Sequence, residues 1–225
     1  MPTNPRLYYG AWSHYCVCAG IQLAMKQVEA TFVPVPYHDK TELIAATGQD
    51  YIPALDWEGK IVPWTDIPDF LEAKVPAPTL YPSGQRGLAT LIDRWGHQVL
   101  EEKAWRFALP KMPAIFTDAR ERWIFEEIQS RVRGPWHVIE SRRDEFGDEL
   151  NAELAWVDAT LQGREWLLGQ PSLADCGVYG GLSPIRTVGE PIPDQFPNLA
   201  KWVERLETLR YGGAPGDARR PSAQG

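Results

Sequence analysis

The sequence predicts an α+β fold in two parts: strands mixed with helices over residues 1–78, then an all-helical segment over 86–211. Three observations carry this. Short β-branched or aromatic runs alternate with helically spaced apolar residues up to Leu71. A proline-rich stretch then follows, with Pro76, Pro78 and Pro82, a linker composition. From Leu88 onward only helical spacing recurs.

The elements follow in order. Residues 6–9 read as a short strand, and Gly10, Ala11 and Trp12 turn the chain. Ser13 is placed to cap a helix whose apolar positions are Val17, Ile21, Ala24, Met25 and Val28. Residues 31–37 are β-branched and aromatic, and Pro34 and Pro36 favour an edge strand. A short helix over 40–47 ends at Gly48. Residues 52–56 and 60–62 read as a hairpin around Trp57, Glu58 and Gly59, and Thr65 is placed to cap a helix through Ile67, Phe70 and Leu71. The order is β-α-β-α-β-β-α. In the second part, Leu88, Leu91, Ile92, Trp95 and Val99 form one helical stripe. Further helices are expected over 114–132, 137–161, from Ser172, and over 198–209, with a disordered tail over 212–225.

Composition narrows the function. Lys and Arg number 23 against 30 Asp and Glu, a net charge of −7. Nucleic acids and anionic lipid surfaces call for a basic face, so neither is expected as a partner. No apolar run reaches the roughly 18 residues of a membrane span, and no apolar signal segment opens the chain, which predicts a cytoplasmic protein. The ten tryptophans are expected to serve mainly the core. Cys16, Cys18 and Cys176 are too few for a disulfide framework. Cys16 and Cys18 would lie about 200° apart on a helix, a poor arrangement for sharing a metal. His14, His38, His97 and His137 show no metal-ligand spacing, so no metal is expected.

Three constellations could carry chemistry. Ser13 and Cys16 lie where a strand turns into a helix, and a helix N-terminus stabilises an anion such as a thiolate. The sulfur would come from a bound ligand or from Cys16 itself. Alternatively, Ser13 only caps the helix and Cys16 is a small buried hydrophobe. Ile52-Pro53 opens an apolar strand and is either a cis bond, exposing backbone groups to an extended peptide ligand, or an ordinary trans bond. Ser172 and Asp175 form a variant capping box with a structural role.

These residues together resemble the cytosolic glutathione transferase superfamily, in its glutaredoxin-like Ser-x-x-Cys form. The resemblance covers residues 6–210. Its elements are Leu7, Tyr8 and Tyr9 before Ser13-x-x-Cys16, Ile52-Pro53 before Ala54 and Leu55, Ser172 to Asp175 after Gly169, and Phe196-Pro197 with Trp202. It implies a thioredoxin-like glutathione-binding domain over 1–78, an all-helical domain over 86–211, and a homodimer. It also implies that glutathione is a co-substrate, with its cysteine pairing to the Ile52 backbone ahead of Pro53 and its thiol activated at Ser13 for attack on a hydrophobic electrophile. Lys40 stands where the family often holds the glycine carboxylate. Trp12, Trp105, Phe107 and Met112 are candidates for the electrophile pocket. One position departs from the family: where Glu-Ser usually begins the third helix, this chain has Pro63 and Trp64, followed by Thr65 and Asp66. Loss of two charge-assisted hydrogen bonds to the γ-glutamyl end costs on the order of 3 kcal/mol, about a hundredfold in affinity, unless Thr65 or Asp66 takes over. Two alternatives therefore stand beside the transferase: a non-catalytic binding or scaffold protein, and a glutathione-dependent thiol reductase using Cys16.

Overall fold

The computed structural model describes residues 4–209, so the expected tail over 212–225 lies outside the described residues. The first part is a four-stranded sheet in the order β2-β1-β3-β4. Strand β1 (Arg6–Tyr9) is central, parallel to β2 (Thr31–Pro34) and antiparallel to β3 (Ala54–Trp57), which pairs with β4 (Lys60–Pro63). The edge position read from Pro34 and Pro36 holds. Strand alternation sorts the two faces. Leu7, Leu55 and Val62 pack with Ala19 and Leu23 of α1 (His14–Met25) and with Ile67 and Leu71 of α3 (Ile67–Lys74). On the opposite face Tyr8 and Ala54 meet Leu43 of α2 (Thr41–Thr47), Cys16 and Ile52. Cys16 and Cys18 thus enter different cores, as their angular separation requires.

The β3–β4 turn pairs Trp57 with Lys60 around Glu58 and Gly59, both at positive φ. This is the two-residue hairpin geometry that follows the twist of the strands. Asp56 accepts the Gly59 N–H at 2.8 Å and holds Arg6 at 2.7 Å. The linker is anchored by the buried Lys26, whose ammonium bonds Glu72 and the Pro78 carbonyl. Glu72 also accepts the Leu80 N–H.

The second part is helical throughout among the described residues. Its first rod runs α4 (Arg86–Trp95), one π-helical turn (Gly96–Leu100) and α5 (Glu101–Ala108). The expected stripe on this rod needs correction: Leu88, Leu91 and Val99 face outward, whereas Ala89, Gly96, Leu100, Ala104 and Ala108 are buried. Small residues take the inner face because it meets another backbone at close range. The helix expected over 114–132 begins at α6 (Ala119–Arg133), because Leu109–Ile115, carrying Pro110 and Pro113, winds as a 3-10 helix. Asp118 caps α6 by accepting the Glu121 N–H. The helix expected over 137–161 is two, α7 (Trp136–Ser141) and α8 (Arg143–Thr160). Helix α9 (Leu173–Thr187) is buried from Leu173 through Ile185 and packs against α1, α4 and α5. Helix α10 (Pro197–Glu207) closes the bundle.

The tryptophans mainly serve the core, as expected: eight of the ten lie in or pack against a hydrophobic cluster. Only Trp105 and Trp202 are buried, while Trp123 and Trp156 are largely exposed. Ser172 caps α9 differently from a reciprocal box. Its hydroxyl donates to the Asp175 carboxylate at 2.7 Å rather than accepting a backbone N–H.

Candidate functional site

The turn between β1 and α1 is built on Gly10. Its carbonyl accepts the Ser13 N–H at 2.9 Å, and a Cβ at position 10 would come within 2.7 Å of the Trp12 ring and 3.0 Å of Ile52. Glycine is what allows Trp12 and Ile52 to close over the turn. From behind, Thr187 of α9 donates to the Ala11 carbonyl at 3.4 Å. Ser13 occupies the N-cap position in extended conformation, yet its side chain makes no cap bond. Instead the Ser13 side chain hydrogen-bonds Cys16, and the Gly10 N–H donates to Cys16 Sγ at 3.4 Å. Two polar donors and a helix end therefore converge on one sulfur. Burial outweighs them and pushes the Cys16 thiol up to about 12.

A raised thiol is a protonated thiol. At pH 8 a group with pKa near 12 is thiolate in only about one molecule in ten thousand. Iodoacetamide is expected to leave Cys16 unmodified in the native protein and to alkylate it readily in urea, with peptide mass mapping as the readout. Fast labelling of native Cys16 would contradict this assignment.

On one side of the turn lies a cavity of about 640 Å³, lined by Trp12, Tyr37, His38, Phe116, Asp118 and Glu121 among others. Trp12 meets Tyr37 edge-on at 4.8 Å and carries the Lys40 ammonium over its ring at 5.2 Å. Lys40 also donates to the Pro36 carbonyl at 2.7 Å, and burial lowers its pKa. Glu121 accepts the Tyr37 N–H at 2.6 Å and lies 3.4 Å from His38. Of the four aromatic-pocket candidates, Trp12 alone is among the lining residues. Trp105 and Met112 are buried in the core behind Tyr37 and Phe116. Phe107 points elsewhere, beneath the Arg143 guanidinium.

On the other side is an aromatic cluster. Tyr15 stacks on Trp64 at 4.1 Å and on His97 at 4.8 Å, and His14 lies 3.8 Å from Tyr15. His14 Nδ1 is 3.3 Å from Glu101. Burial, reinforced by His97, lowers His14 to about 3; burial, reinforced by Glu102, raises Glu101 to about 7. Thr65 and Asp66 are exposed and bond each other at 2.8 Å. Thr65 does not cap α3, because a 3-10 turn (Trp64–Asp66) shifts the helix start to Ile67. Ile52 and Pro53 precede the first paired residue of β3, and the Ile52–Pro53 bond is cis, as is Ala77–Pro78.

Ser13, Cys16, Trp12, Lys40, Ile52 and Pro53 thus surround one turn, while Trp64 lies across Tyr15. Sequence reasoning missed Tyr15, Tyr37, Asp93, His97, Glu101 and Glu121. The one available signal was the i, i+4 pairing of Asp93 with His97 on a helix. The structure brings Cys18, Asp93 and His97 together, with ligand atoms within 4.8 Å of one another. Linear spacing between Cys18 and the other two hides this.

Solved structures share the architecture. A glutathione transferase of Phanerochaete chrysosporium superimposes with a TM-score of 0.79 at 14% identity, covering 94% of this chain and 99% of that one. Glutaredoxin 2 of Salmonella typhimurium, solved with glutathione, gives 0.72 at 14% identity over 91% and 94%. The β-etherase LigF of a Sphingobium species gives 0.65 at 18% identity over 96% and 99%. No curated protein sequence matches. The sequence model of the glutathione S-transferase C-terminal domain matches residues 140–205. The chain shares the fold of these proteins, and its helical part carries the match to that domain family. The matched region holds the Ser172–Asp175 cap and α9. No described helix is long and apolar enough to cross a membrane.

Proposed function

We propose that this glutathione transferase-superfamily protein binds glutathione across residues 1–78 and transfers it to a hydrophobic electrophile, with residues 86–211 as its helical domain. The observation that carries the reading is the convergence of the Ser13 side chain, the Gly10 N–H and the α1 N-terminus on the Cys16 sulfur, beside the Trp12–Phe116 cavity, so the turn can host sulfur. In this reading the cysteinyl backbone of glutathione pairs with the Ile52 backbone ahead of Pro53. Its thiol lies at Ser13, whose hydroxyl donates to it as the S–H proton passes to solvent. The helix end stabilises the resulting thiolate. The thiolate then forms an S–C bond to the electrophile while the bond to the leaving group breaks, and the leaving group keeps that electron pair. Lys40, over the Trp12 ring, is the cation proposed for the glycine carboxylate, and Trp12 and Phe116 supply apolar walls. A cytoplasmic location and a homodimer go with this proposal. The outward Leu88, Leu91 and Val99 offer apolar surface for a symmetric contact. Ser13→Ala should lower kcat/KM for a chlorinated aromatic test substrate by about a hundredfold, the loss typical of one donor at a developing anion. Unchanged turnover in this variant would contradict the reading.

One observation favours a second reading, a binding or scaffold protein without catalysis. The Trp64 indole stacks on Tyr15 where the γ-glutamyl end would lie. Under that reading glutathione gives no thermal shift, while an apolar ligand or a protein partner does. The thiol-reductase reading has less support, because the one thiol at the turn, Cys16, is held protonated.

A further inference from the structure

We propose that Cys18, Asp93 and His97 form a zinc-binding site that ties α1 to the α4–π-turn rod, independently of any glutathione chemistry. The three donor atoms lie within 4.8 Å of one another. They come from three elements on the two sides of the linker: Cys18 from α1, Asp93 from α4 and His97 from the π-helical turn. Single π turns widen a helix and are frequent at functional sites.

The bland reading is an ordinary i, i+4 Asp–His pair beside a buried thiol. It leaves too much unexplained. His97 Nε2 and Asp93 Oδ1 are 3.4 Å apart, yet Asp93 Oδ1 is a buried atom with no hydrogen-bond partner. His97 Nδ1 is likewise buried and unpartnered, on a side chain only 8% exposed. Of the five buried side-chain polar atoms without a partner among the described residues, four belong to His14, Gln22, Asp93 and His97. Gln22 Nε2 donates to Cys18 Sγ at 3.2 Å, and His14 lies 5.2 Å from the His97 ring. Unpaired buried polar groups are costly, and a cation held between His97 Nε2 and Asp93 Oδ1 satisfies the orphaned carboxylate oxygen directly.

The donor set selects the metal. Sulfur, imidazole and one carboxylate suit Zn²⁺, whereas Ca²⁺ and Mg²⁺ require oxygen shells. Around tetrahedral Zn²⁺, ligands at about 2.0–2.3 Å lie about 3.3–3.6 Å from each other. The Asp93–His97 separation already has that value, and the thiol needs to draw in by about 1 Å. With Cys18 as thiolate, its proton released to solvent, the ligand charges cancel the two positive charges of the ion, so a neutral unit is buried. Water completes the fourth position. Glycines keep the space open: a Cβ on Gly177 would come within 2.4 Å of Asp93 Oδ1, and one on Gly180 within 3.1 Å of Cys18 Cβ.

The test is a titration of the metal-free full chain with Co²⁺, followed by Zn²⁺. One Co²⁺ per chain should bind, with strong tetrahedral visible absorption and a near-ultraviolet sulfur-to-cobalt charge-transfer band that Zn²⁺ abolishes. Zn²⁺ at a hundredfold excess over its Kd should raise Tm by about 5–10 °C. Cys18→Ser and His97→Gln should each weaken binding by more than the roughly 10–100-fold lost with an outer-shell partner. The Cys16→Ser/Cys176→Ser double variant should keep the band, which assigns it to Cys18 even where Cys18→Ser does not fold. Weak octahedral absorption without the sulfur band in the folded wild type overturns the proposal. So does a band that persists in Cys18→Ser or disappears from the folded double variant.

Discussion

Asp175→Ala is expected to destabilise the protein by about 4 kcal/mol, lowering Tm by about 8–16 °C. Asp175 is completely buried. Its carboxylate accepts the Ser172 hydroxyl at 2.7 Å, the Trp202 indole N–H at 2.9 Å and the Leu167 N–H at 3.0 Å. Burial raises its pKa and these donors oppose the rise. Removing the carboxylate strands three donors where water does not reach, at about 1–3 kcal/mol each with incomplete additivity. Trp202 is the largest fully buried side chain, so its stranded N–H has little room to move. Asp175→Asn keeps an acceptor oxygen and should fall between the two. Thermal unfolding followed by circular dichroism checks both variants. A loss under about 1 kcal/mol would mean that this network is dispensable.

Gly96→Ala should cost about 3 kcal/mol, the upper end for overpacking. A Cβ at position 96 would come within 2.4 Å of the Gly177 carbonyl oxygen, 2.6 Å of its carbon and 2.9 Å of the Val178 nitrogen. All three are backbone atoms of α9, so relief requires the two helices to part. The helix-propensity gain of Ala over Gly, about 1 kcal/mol, opposes the clash without cancelling it. Gly87 on α4 is the control, since a Cβ there meets nothing within 4 Å. Gly87→Ala should be neutral or stabilising by up to about 1 kcal/mol. Urea denaturation of the two variants separates propensity from packing.

The same close approach explains what the sequence did and did not disclose. The strands were legible because short β-branched runs, Gly48 and the Glu58-Gly59 turn act locally. The inner face of the α4–α5 rod was not. Helix contact at backbone range selects Gly and Ala, so the larger apolar residues Leu88, Leu91 and Val99 mark the outer face. The break at Arg142 between α7 and α8 has no proline or glycine to announce it. At the site, the Ser13–Cys16 turn was readable because helix-end chemistry is local. The encounter of Cys18 with Asp93 and His97, and the stacking of Trp64 on Tyr15, are tertiary and leave no linear spacing.

In the proposed function the Ser13 turn holds glutathione as its thiolate. A calorimetric titration of the wild type with glutathione, paired with difference absorption in the near-ultraviolet thiolate band, tests it most directly. One tripeptide is expected to bind per chain at millimolar or lower concentration, with a thiolate band at neutral pH that Ser13→Ala removes while binding persists. Absence of binding heat and of the band at millimolar glutathione, with the folded protein intact, would contradict it and leave the Trp64-closed binding protein in its place.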